Sequence, residues 1–194
     1  LLVIEDRYDK SLPTVKGLLK ERFGEIFIVH RLDMGTGGTL IAAKNKEAHK
    51  YFNKLFEENK VDKTYIAVVK GSFKYPYTMM LPIQAKNQKG KYKINFKSGK
   101  SAFTTFFPLA EGKGATLVQV KLHTGRTHQI RVHLKAAGHP LVNDFLYGDK
   151  MDDKRLSLFA ESVCFKDRDG QTVQVDAPLS GFIKDIKEKL KIIS

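Results

Sequence analysis

The sequence of 194 residues predicts an α+β fold, with helices flanking a mixed, largely antiparallel sheet. Some segments have apolar residues at helical spacing, others are rich in β-branched and aromatic residues, and short glycine-containing turns join several of the latter. The composition is 42% hydrophobic and 28% charged, which is typical of a globular chain with a real core. No internal repeat or low-complexity linker divides the chain, so we expect a single domain over 1–194.

The first part of the chain alternates helix and strand patterns. Residues 11–24 have apolar positions at helical spacing and end at Gly24, which predicts a short helix. A strand over 25–33 then runs into a polar loop, and an apolar run over 39–45 predicts a second, buried strand. Residues 46–59 predict an amphipathic helix, whose apolar face carries Ala48, Tyr51, Phe52, Leu55 and Phe56.

The rest of the chain is predicted to consist mainly of antiparallel strands around one helix. Residues 63–73 are rich in β-branched and aromatic side chains, and 86–125 contain several strand patterns joined by glycine-containing turns. Residues 126–140 predict a helix, 158–179 a hairpin with a tight glycine turn, and 180–191 a terminal helix. For the helix over 126–140, the sequence predicts Thr127 as N-cap and Gly138 at the C-terminal end, with Pro140 just beyond it.

The net charge of +13 is concentrated in one part of the sequence. Between Lys63 and Asn143 there are twelve lysines and two arginines against a single acid, Glu111, whereas basic and acidic residues balance elsewhere. Such a block is typical of a surface that binds nucleic acid, although a solvated lysine-rich face has the same composition. The lysines that we expect to contact nucleic acid are Lys86, Lys89, Lys91 and Lys93.

The sequence disfavours several other classes of protein. No apolar run reaches the length of a membrane-spanning helix, and the N-terminus lacks the basic start of a signal peptide. The single cysteine, Cys164, cannot form an internal disulfide, so we expect a reducing, cytoplasmic setting. The histidines lack metal-ligand spacing and no phosphate-binding glycine loop occurs, so we expect neither a metal nor a cofactor.

The segment VHRLDMGTGGTLIAAKN, residues 29–45, has three polar side chains where a predicted strand ends: His30, Arg31 and Asp33. Strand ends commonly carry reactive groups, a nearby cation keeps a carboxylate ionised, and the following glycines permit a ligand to approach closely. Asp33 is therefore a candidate catalytic carboxylate. Local features alone favour a simpler interpretation, an aspartate that caps a turn, because short motifs often match by chance.

Two further groups of residues are candidates for binding or chemistry. Arg126 and Arg131 lie in the first turns of the predicted helix over 126–140, where guanidinium groups and free backbone N–H groups suit a phosphate or a carboxylate. Exposed cations on a surface helix fit this pattern equally well. Tyr65 lies in the predicted strand over 63–73, where an aromatic side chain is usually core but also suits stacking on a base.

Four segments, in order, resemble the motifs of one family. They are HRLDMGTGGTLIAAKN, KTYIAVVKG, LHTGRTHQIRVHLKAAGHPLVNDFLYG, and LFAESVCF with VQVDAPL, and the match covers about residues 26–179. This ordered set resembles the RluA-type pseudouridine synthases. The resemblance implies the pseudouridine synthase fold with a central catalytic cleft, and isomerisation of uridines in ribosomal or transfer RNA without cofactor or metal. It also overturns the turn-capping interpretation of Asp33.

The resemblance implies a role for each candidate residue. Asp33 matches the essential carboxylate, Tyr65 the tyrosine that stacks on the uracil and helps the late proton removal, and Arg131 the arginine that pairs with the aspartate. Arg31 matches the arginine that takes the place of the flipped base or holds its phosphate. The residues expected to contact RNA or to shape the pocket are His30, Arg126 and His128.

Two other functions fit parts of the pattern. The first is a non-catalytic RNA-binding protein that keeps the fold, although such a protein has little need for a desolvated carboxylate. The second is a hydrolase that cleaves an N-glycosidic bond, which would release free uracil.

The family usually has further strands before the point where this chain opens, so either an N-terminal piece is missing or the subfamily differs. We expect no S4-type RNA-binding module, RNA recognition chiefly by the basic block over 63–143, and a monomer.

Overall fold

A computed structural model of the chain describes residues 2–4, 12–86, 90–148, 155–179 and 181–182. Within these ranges the helices are α1 (Val15–Phe23), α2 (Lys46–Glu57) and α3 (Gln129–Ala136). The strands are β1 (Phe27–Ile28), β2 (Gly37–Gly38), β3 (Ala42–Ala43), β4 (Asp62–Lys70), β5 (Tyr77–Met80), β6 (Ile83–Lys86), β7 (Lys91–Ile94), β8 (Phe103–Gly112), β9 (Ala115–Leu122), β10 (Leu158–Lys166) and β11 (Thr172–Asp176).

A central sheet organises these elements. Its strand order is β11-β10-β4-β9-β8-β5, all neighbours in this order are antiparallel, and β2 joins by parallel pairing with β10. Two small antiparallel pairs, β1 with β3 and β6 with β7, lie outside this sheet. The mixed, largely antiparallel sheet of an α+β fold is therefore confirmed.

The main core lies between the central sheet and α3. Alternate residues of β4, Tyr65, Ala67 and Val69, pack in one cluster with Ile130 and Leu134 of the helix. Side chains at every second position of a strand point to the same face, so one face of β4 supplies all three. Because α3 is fixed against the middle of the sheet, the residues that begin the helix have a defined position over it.

The amphipathic face predicted for α2 packs in a hydrophobic cluster, with Leu55 as its buried residue. Leu55 packs in a second cluster with Val61 and Val163, and Phe52 and Phe56 are partly buried against them. This cluster covers the part of the sheet where β4 begins and pairs with β10.

The β6–β7 hairpin packs against α3. Ile83 of β6 is buried with Val132 of α3 and Tyr147, and the inward residues Tyr92 and Ile94 of β7 lie against them. The hairpin that carries part of the predicted basic block therefore lies directly beside the helix that bears Arg131.

The largest difference from the sequence-based expectation concerns residues 25–45. The two predicted strands shrink to the two-residue β1 and β3, whereas Gly37–Gly38, predicted as loop, forms β2. Gly38 has a φ of +112°, and a Cβ there would lie 2.1 Å from the carbonyl oxygen of Ala160. Only glycine allows the two backbones to approach this closely. The pairing of β2 with β10 in turn fixes the loop that follows Asp33 to the central sheet.

The helix ends agree with the prediction in one case and differ in another. α1 has Thr14 as N-cap, whose Oγ1 accepts the N–H of Gly17 at 3.0 Å, and it ends before Gly24 as predicted. The prediction that Thr127 caps α3 is wrong, because His128 is the N-cap. The side-chain oxygen of Gln129 accepts the N–H of Arg126 and closes the turn before the helix, which delays its start.

The predicted terminal helix over 180–191 lies almost entirely outside the described residues. Only 181–182 are described, and both are helical. None of the helices in the described ranges is long and apolar enough to cross a membrane.

Replacing Gly38 with alanine should destabilise the protein by about 2 kcal/mol or more, because the new Cβ meets the backbone of Ala160 in a left-handed conformation. Gly37→Ala is the matched control, since its Cβ would meet only the Phe159 ring at 3.4 Å, and it should cost less than about 1 kcal/mol. Urea unfolding measures both free energies. Equal losses for the two variants would contradict the close pairing of β2 with β10.

Candidate active site

The site is built around an arginine that is buried in α3. The Arg131 side chain is 2% exposed, and its guanidinium makes two parallel hydrogen bonds to Asp144, Nε to Oδ2 at 2.9 Å and Nη2 to Oδ1 at 2.7 Å. Asp144 Oδ1 also accepts the backbone N–H groups of Leu146 and Tyr147 at 3.0 Å each. A buried ion pair is tolerated only when its remaining donors and acceptors are satisfied, and Asp144 meets this condition.

Asp144 is a charged structural residue. Its side chain is fully buried, and burial by itself would raise its pKa. The guanidinium of Arg131 and the two backbone N–H groups outweigh that effect and hold the pKa of Asp144 below its usual value. Asp144 therefore stays ionised and anchors the guanidinium.

The same guanidinium reaches the predicted catalytic carboxylate. Arg131 Nη1 donates to Asp33 Oδ2 at 3.2 Å, across a sequence separation of 98 residues. The Asp33 side chain is 22% exposed, in contrast to that of Asp144. One arginine thus joins a buried carboxylate to a carboxylate that solvent can reach.

The backbone of the loop after Asp33 is held at several points. The N–H of Thr36 donates to the carbonyl of Asp33 at 3.0 Å, which closes a turn, and the carbonyl of Gly35 accepts the N–H of Leu156 at 3.1 Å. The N–H of Thr39 donates to the carbonyl of Ala160 at 2.9 Å. A loop fixed in this way holds its carboxylate in place before any ligand binds.

Two aromatic rings lie over Arg131. The centroids of the Phe145 and Tyr147 rings are 5.6 and 5.1 Å from its Cζ, within the range of cation–π contacts. The segment that follows α3 therefore supplies the carboxylate partner of the arginine and also part of its aromatic surroundings.

His128 lies on the other side of Asp33. Its Nε2 is 4.0 Å from Asp33 Oδ1, the oxygen that Arg131 leaves unbonded, and its Nδ1 is 2.9 Å from the Tyr147 hydroxyl. The Tyr147 hydroxyl in turn accepts the backbone N–H of Tyr92 at 2.7 Å. The histidine ring is therefore held between the β6–β7 hairpin and the carboxylate.

Tyr65 is 8% exposed and belongs to the main core. Burial raises the pKa of its phenol, and the negative charge of Asp33 raises it further. The phenol therefore keeps its proton at neutral pH, which favours packing or stacking over proton removal while the site has this geometry.

His30 belongs to the framework. Its Nε2 accepts the N–H of Ile41 at 2.9 Å and its ring stacks on Phe56 at 4.7 Å. Burial, and then the charge of Lys63, lower the pKa of His30 to about 4. The expected contact of His30 with RNA stays a prediction, and its acceptor nitrogen is already bonded within the protein.

The remaining predicted arginines are exposed. Arg31 follows His30, and its positive charge lowers the pKa of His128, so it lies within electrostatic reach of the site. Arg126 lies in the turn before α3 rather than in the helix, where its Nε donates to the carbonyl of Ser101 at 3.0 Å. The predicted pair of arginines at one anion-binding helix start is therefore wrong, because Arg131 points into the core and binds two aspartates.

Three of the four predicted lysines lie on the strands of the β6–β7 hairpin. Lys91 and Lys93 are exposed on one face of β7, Lys86 ends β6 opposite Lys91, and Lys89 lies outside the described residues.

Within the part of the chain that the structure describes, no three histidine, cysteine or acidic side chains are grouped so as to hold a metal ion.

Sequence reasoning missed Asp144, Tyr147 and Tyr92. Asp144 had one recognisable signal, since it is a single acid among apolar residues in LVNDFLYG, and such an acid requires a buried partner. Tyr92 contributes a backbone N–H, so no side-chain pattern marks its role.

The fold is that of RNA pseudouridylate synthase domains. The solved structure of human RNA pseudouridylate synthase domain containing 1 superposes with a TM-score of 0.77 at 30% sequence identity, over 85% of this chain and 74% of that one. The chain belongs to the RNA pseudouridylate synthase family, whose model matches residues 6–136. The resemblance to the RluA-type enzymes is thereby confirmed.

Two curated relatives define the extent of the similarity. An uncharacterized RNA pseudouridine synthase of Aquifex aeolicus is 41% identical over 158 residues, which cover 78% of this chain and 48% of the relative. A ribosomal large subunit pseudouridine synthase C of Pasteurella multocida is 36% identical over 176 residues, which cover 84% of this chain and 54% of the relative. The chain thus spans about half the length of these relatives.

The two aspartates should couple differently to Arg131. In a double-mutant cycle, Arg131→Met and Asp144→Asn should show a coupling energy of about 2 kcal/mol or more, because each single variant leaves a buried charge without its partner. The matched cycle with Asp33→Asn should give a clearly smaller value, since Asp33 is partly exposed and makes one hydrogen bond at 3.2 Å. Urea unfolding of the six proteins measures both, and equal coupling energies would contradict the structural role of Asp144.

Proposed function

We propose that this chain carries the catalytic domain of an RNA pseudouridine synthase, which isomerises uridines in ribosomal or transfer RNA with Asp33 as the essential carboxylate. The observation that carries the proposal is the contact between Asp33 and Arg131: a partly exposed carboxylate held by a buried, pre-anchored guanidinium. Family membership supplies the reaction class, and the site supplies one accessible carboxylate in a fixed position.

The proposed reaction is an isomerisation within the substrate. The bond between N1 of uracil and C1′ of ribose breaks, the base turns, and a bond forms between C5 and C1′. The hydrogen on C5 leaves as a proton and N1 gains a proton, so the reaction balances without an oxidant or a co-reactant. A single carboxylate supports attack at C1′, attack at C6 or removal of a sugar proton, and the proposal holds for each route.

The geometry assigns different tasks to the two oxygens of Asp33. Oδ2 accepts the hydrogen bond from Arg131, whereas Oδ1 faces His128 at 4.0 Å and accepts no hydrogen bond from the described residues. The lone pairs of Oδ1 are therefore the ones available to a substrate. Because Arg131 is held by Asp144, the carboxylate needs little reorganisation when the substrate binds.

Tyr65 supports recognition of the base. It lies in the core of the sheet close enough to Asp33 for the two to interact electrostatically. A buried ring beside the reacting carboxylate suits stacking on a uracil that has left its helix, and enzymes acting on a base must take it out of the stack. Arg31, exposed in the same loop as Asp33, is the residue that we propose fills the gap.

The β6–β7 hairpin supports binding of the RNA backbone. Its inward side chains pack on α3, and the exposed side carries Lys91 and Lys93 at alternate positions. Neutralising phosphates with lysines releases counterions, which gives affinity without sequence preference. A basic strand next to the site therefore holds an RNA while the target uridine enters.

The name of the Pasteurella multocida relative, a ribosomal large subunit pseudouridine synthase, favours ribosomal RNA as the first substrate to test. Transfer RNA belongs in the same experiment, because the described site has no feature that separates the two.

Asp33→Asn should abolish isomerisation, because the amide keeps an acceptor for Arg131 but lacks the carboxylate charge. The RNA dissociation constant should stay within about threefold of the wild-type value, since phosphate contacts dominate affinity. The assay is tritium release from RNA that carries uridine tritiated at C5, because joining the base through C5 expels that hydrogen by every route.

The matched control is Asp169→Asn, an exposed aspartate in the turn between β10 and β11, which should keep full activity. An active Asp33→Asn enzyme would remove Asp33 from the mechanism. Free uracil in place of tritium release would indicate a hydrolase, and binding without either product would indicate a non-catalytic RNA-binding protein.

Charge reversal on the hairpin should weaken RNA binding and reduce its salt dependence. In Lys91→Glu/Lys93→Glu, the slope of log affinity against log salt should fall by roughly 1 for each lysine that contacts a phosphate. The matched control is Lys46→Glu/Lys50→Glu, which makes the same charge change on the exposed side of α2. Filter binding across a salt series measures both slopes, and the same slope in the two double variants would show that the hairpin does not meet RNA.

A further inference from the structure

Two hydrogen bonds in sequence lead to the imidazole of His128, whose other nitrogen faces Asp33. They run from the backbone N–H of Tyr92 to the Tyr147 hydroxyl at 2.7 Å and from that hydroxyl to His128 Nδ1 at 2.9 Å. On the other side of the imidazole ring, Nε2 is 4.0 Å from Asp33 Oδ1.

The backbone donor leaves the hydroxyl hydrogen of Tyr147 available for the second hydrogen bond. A backbone N–H only donates, so the Tyr147 oxygen accepts from Tyr92 and has its own hydrogen left to donate. Among the described residues, His128 Nδ1 is the acceptor within reach of that hydrogen, and the tautomer that uses it has no proton on Nδ1. A neutral imidazole then has its hydrogen on Nε2, where it faces Asp33.

The backbone of His128 is also set apart from an ordinary helix start. It is the N-cap of α3 but has a left-handed conformation, with φ 55° and ψ 21°, and its side chain makes no capping hydrogen bond. An N-cap side chain usually accepts a backbone N–H of the first helical turn. The strained backbone and the absence of that bond indicate that the His128 side chain serves other partners. Here the ring is directed to Tyr147 and Asp33.

We propose that His128 is a positioning residue for the reaction proposed above: its neutral Nε2–H form, imposed by the Tyr147 hydroxyl, orients Asp33 Oδ1 toward the substrate. Protonation would place a full positive charge 4.0 Å from Oδ1 and draw the carboxylate into an ion pair. The carboxylate would then be occupied on both oxygens, by His128 and by Arg131.

The surroundings of the ring keep it neutral at physiological pH. Burial is the largest effect and lowers the pKa of His128 below its usual value of 6.5, and the charges of Arg131 and Arg31 act in the same direction. The carboxylates of Asp33 and Asp144 oppose this shift. The uncharged groups that face the ring are Tyr147, after α3, and Tyr92, on β7. The neutral form is therefore the one present at pH 7, and acidification to below the lowered pKa of His128 converts it.

Two amide substitutions of His128 distinguish the contribution of Nε2 from that of Nδ1. The Gln side chain of His128→Gln places an uncharged donor near the former Nε2, so kcat/KM at pH 7 should stay within about threefold of wild type. His128→Asn places its amide near the former Nδ1 and nothing toward Asp33, so kcat/KM should fall about tenfold or more at unchanged KM. A merely structural role for His128 predicts the same loss in both variants.

The pH profile tests the protonation step. Wild-type kcat/KM should decline as the pH falls through the lowered pKa of His128, whereas His128→Gln, which cannot take up a proton, should keep its activity over the same pH range. Tyr147→Phe removes the donor to Nδ1, so it should raise the pKa of His128 and move the acidic decline upward by about 0.5 pH unit or more. Identical acidic limbs in wild type and His128→Gln would overturn the proposal.

Nitrogen NMR of the imidazole separates this proposal from the proposed function. The ¹⁵N shifts of wild-type protein at pH 7 should report a protonated Nε2 and an unprotonated Nδ1, and Asp33→Asn should lower the pKa of His128 by removing an opposing charge. The opposite tautomer, or a pKa that does not respond to Asp33→Asn, would overturn the role of His128 even in an active enzyme. If the protein shows the expected ¹⁵N shifts but releases no tritium, only the proposed function would be overturned.

Discussion

Burial of the Arg131 guanidinium is the constraint on which the site depends. A charge this far from solvent is tolerated only with good geometry on all sides, and two aspartates and two aromatic rings supply it. Its partners come from the loop after β1 and from the segment after α3, so the arginine joins parts of the chain that are far apart in sequence. Correct folding of the core therefore also assembles the site.

The arginine divides its two carboxylates into different roles. Asp144 has no exposed surface and accepts four hydrogen bonds, two from the guanidinium and two from backbone N–H groups, so it holds the guanidinium. Asp33 accepts one hydrogen bond from Nη1 and retains an oxygen that can meet a ligand. The environment rather than the residue type thus distinguishes the structural aspartate from the proposed catalytic one, as expected when burial and hydrogen bonding differ.

The close approach of two backbones explains a glycine in the loop after Asp33. A side chain at Gly38 would collide with the backbone of Ala160, so the parallel pairing of β2 with β10 depends on the absence of that side chain. The pairing holds the loop against a strand of the central sheet, and β4, which pairs with the same strand, carries Tyr65. Two neighbours of β10 therefore bring the carboxylate and the aromatic ring to one place.

Periodicity, turn residues and ordered motifs are local features, so the fold class, the helical face of α2, most of the strands and the family could be predicted from the sequence. The sequence also singled out Asp33, Tyr65 and Arg131. The tertiary structure decided what local features cannot encode: that Gly37–Gly38 is a strand, that His30 bonds within the framework, and that Arg131 binds two aspartates. Asp144 and the chain from Tyr92 to His128 emerged only in three dimensions, since a buried charge and a backbone donor acquire their partners by burial and proximity.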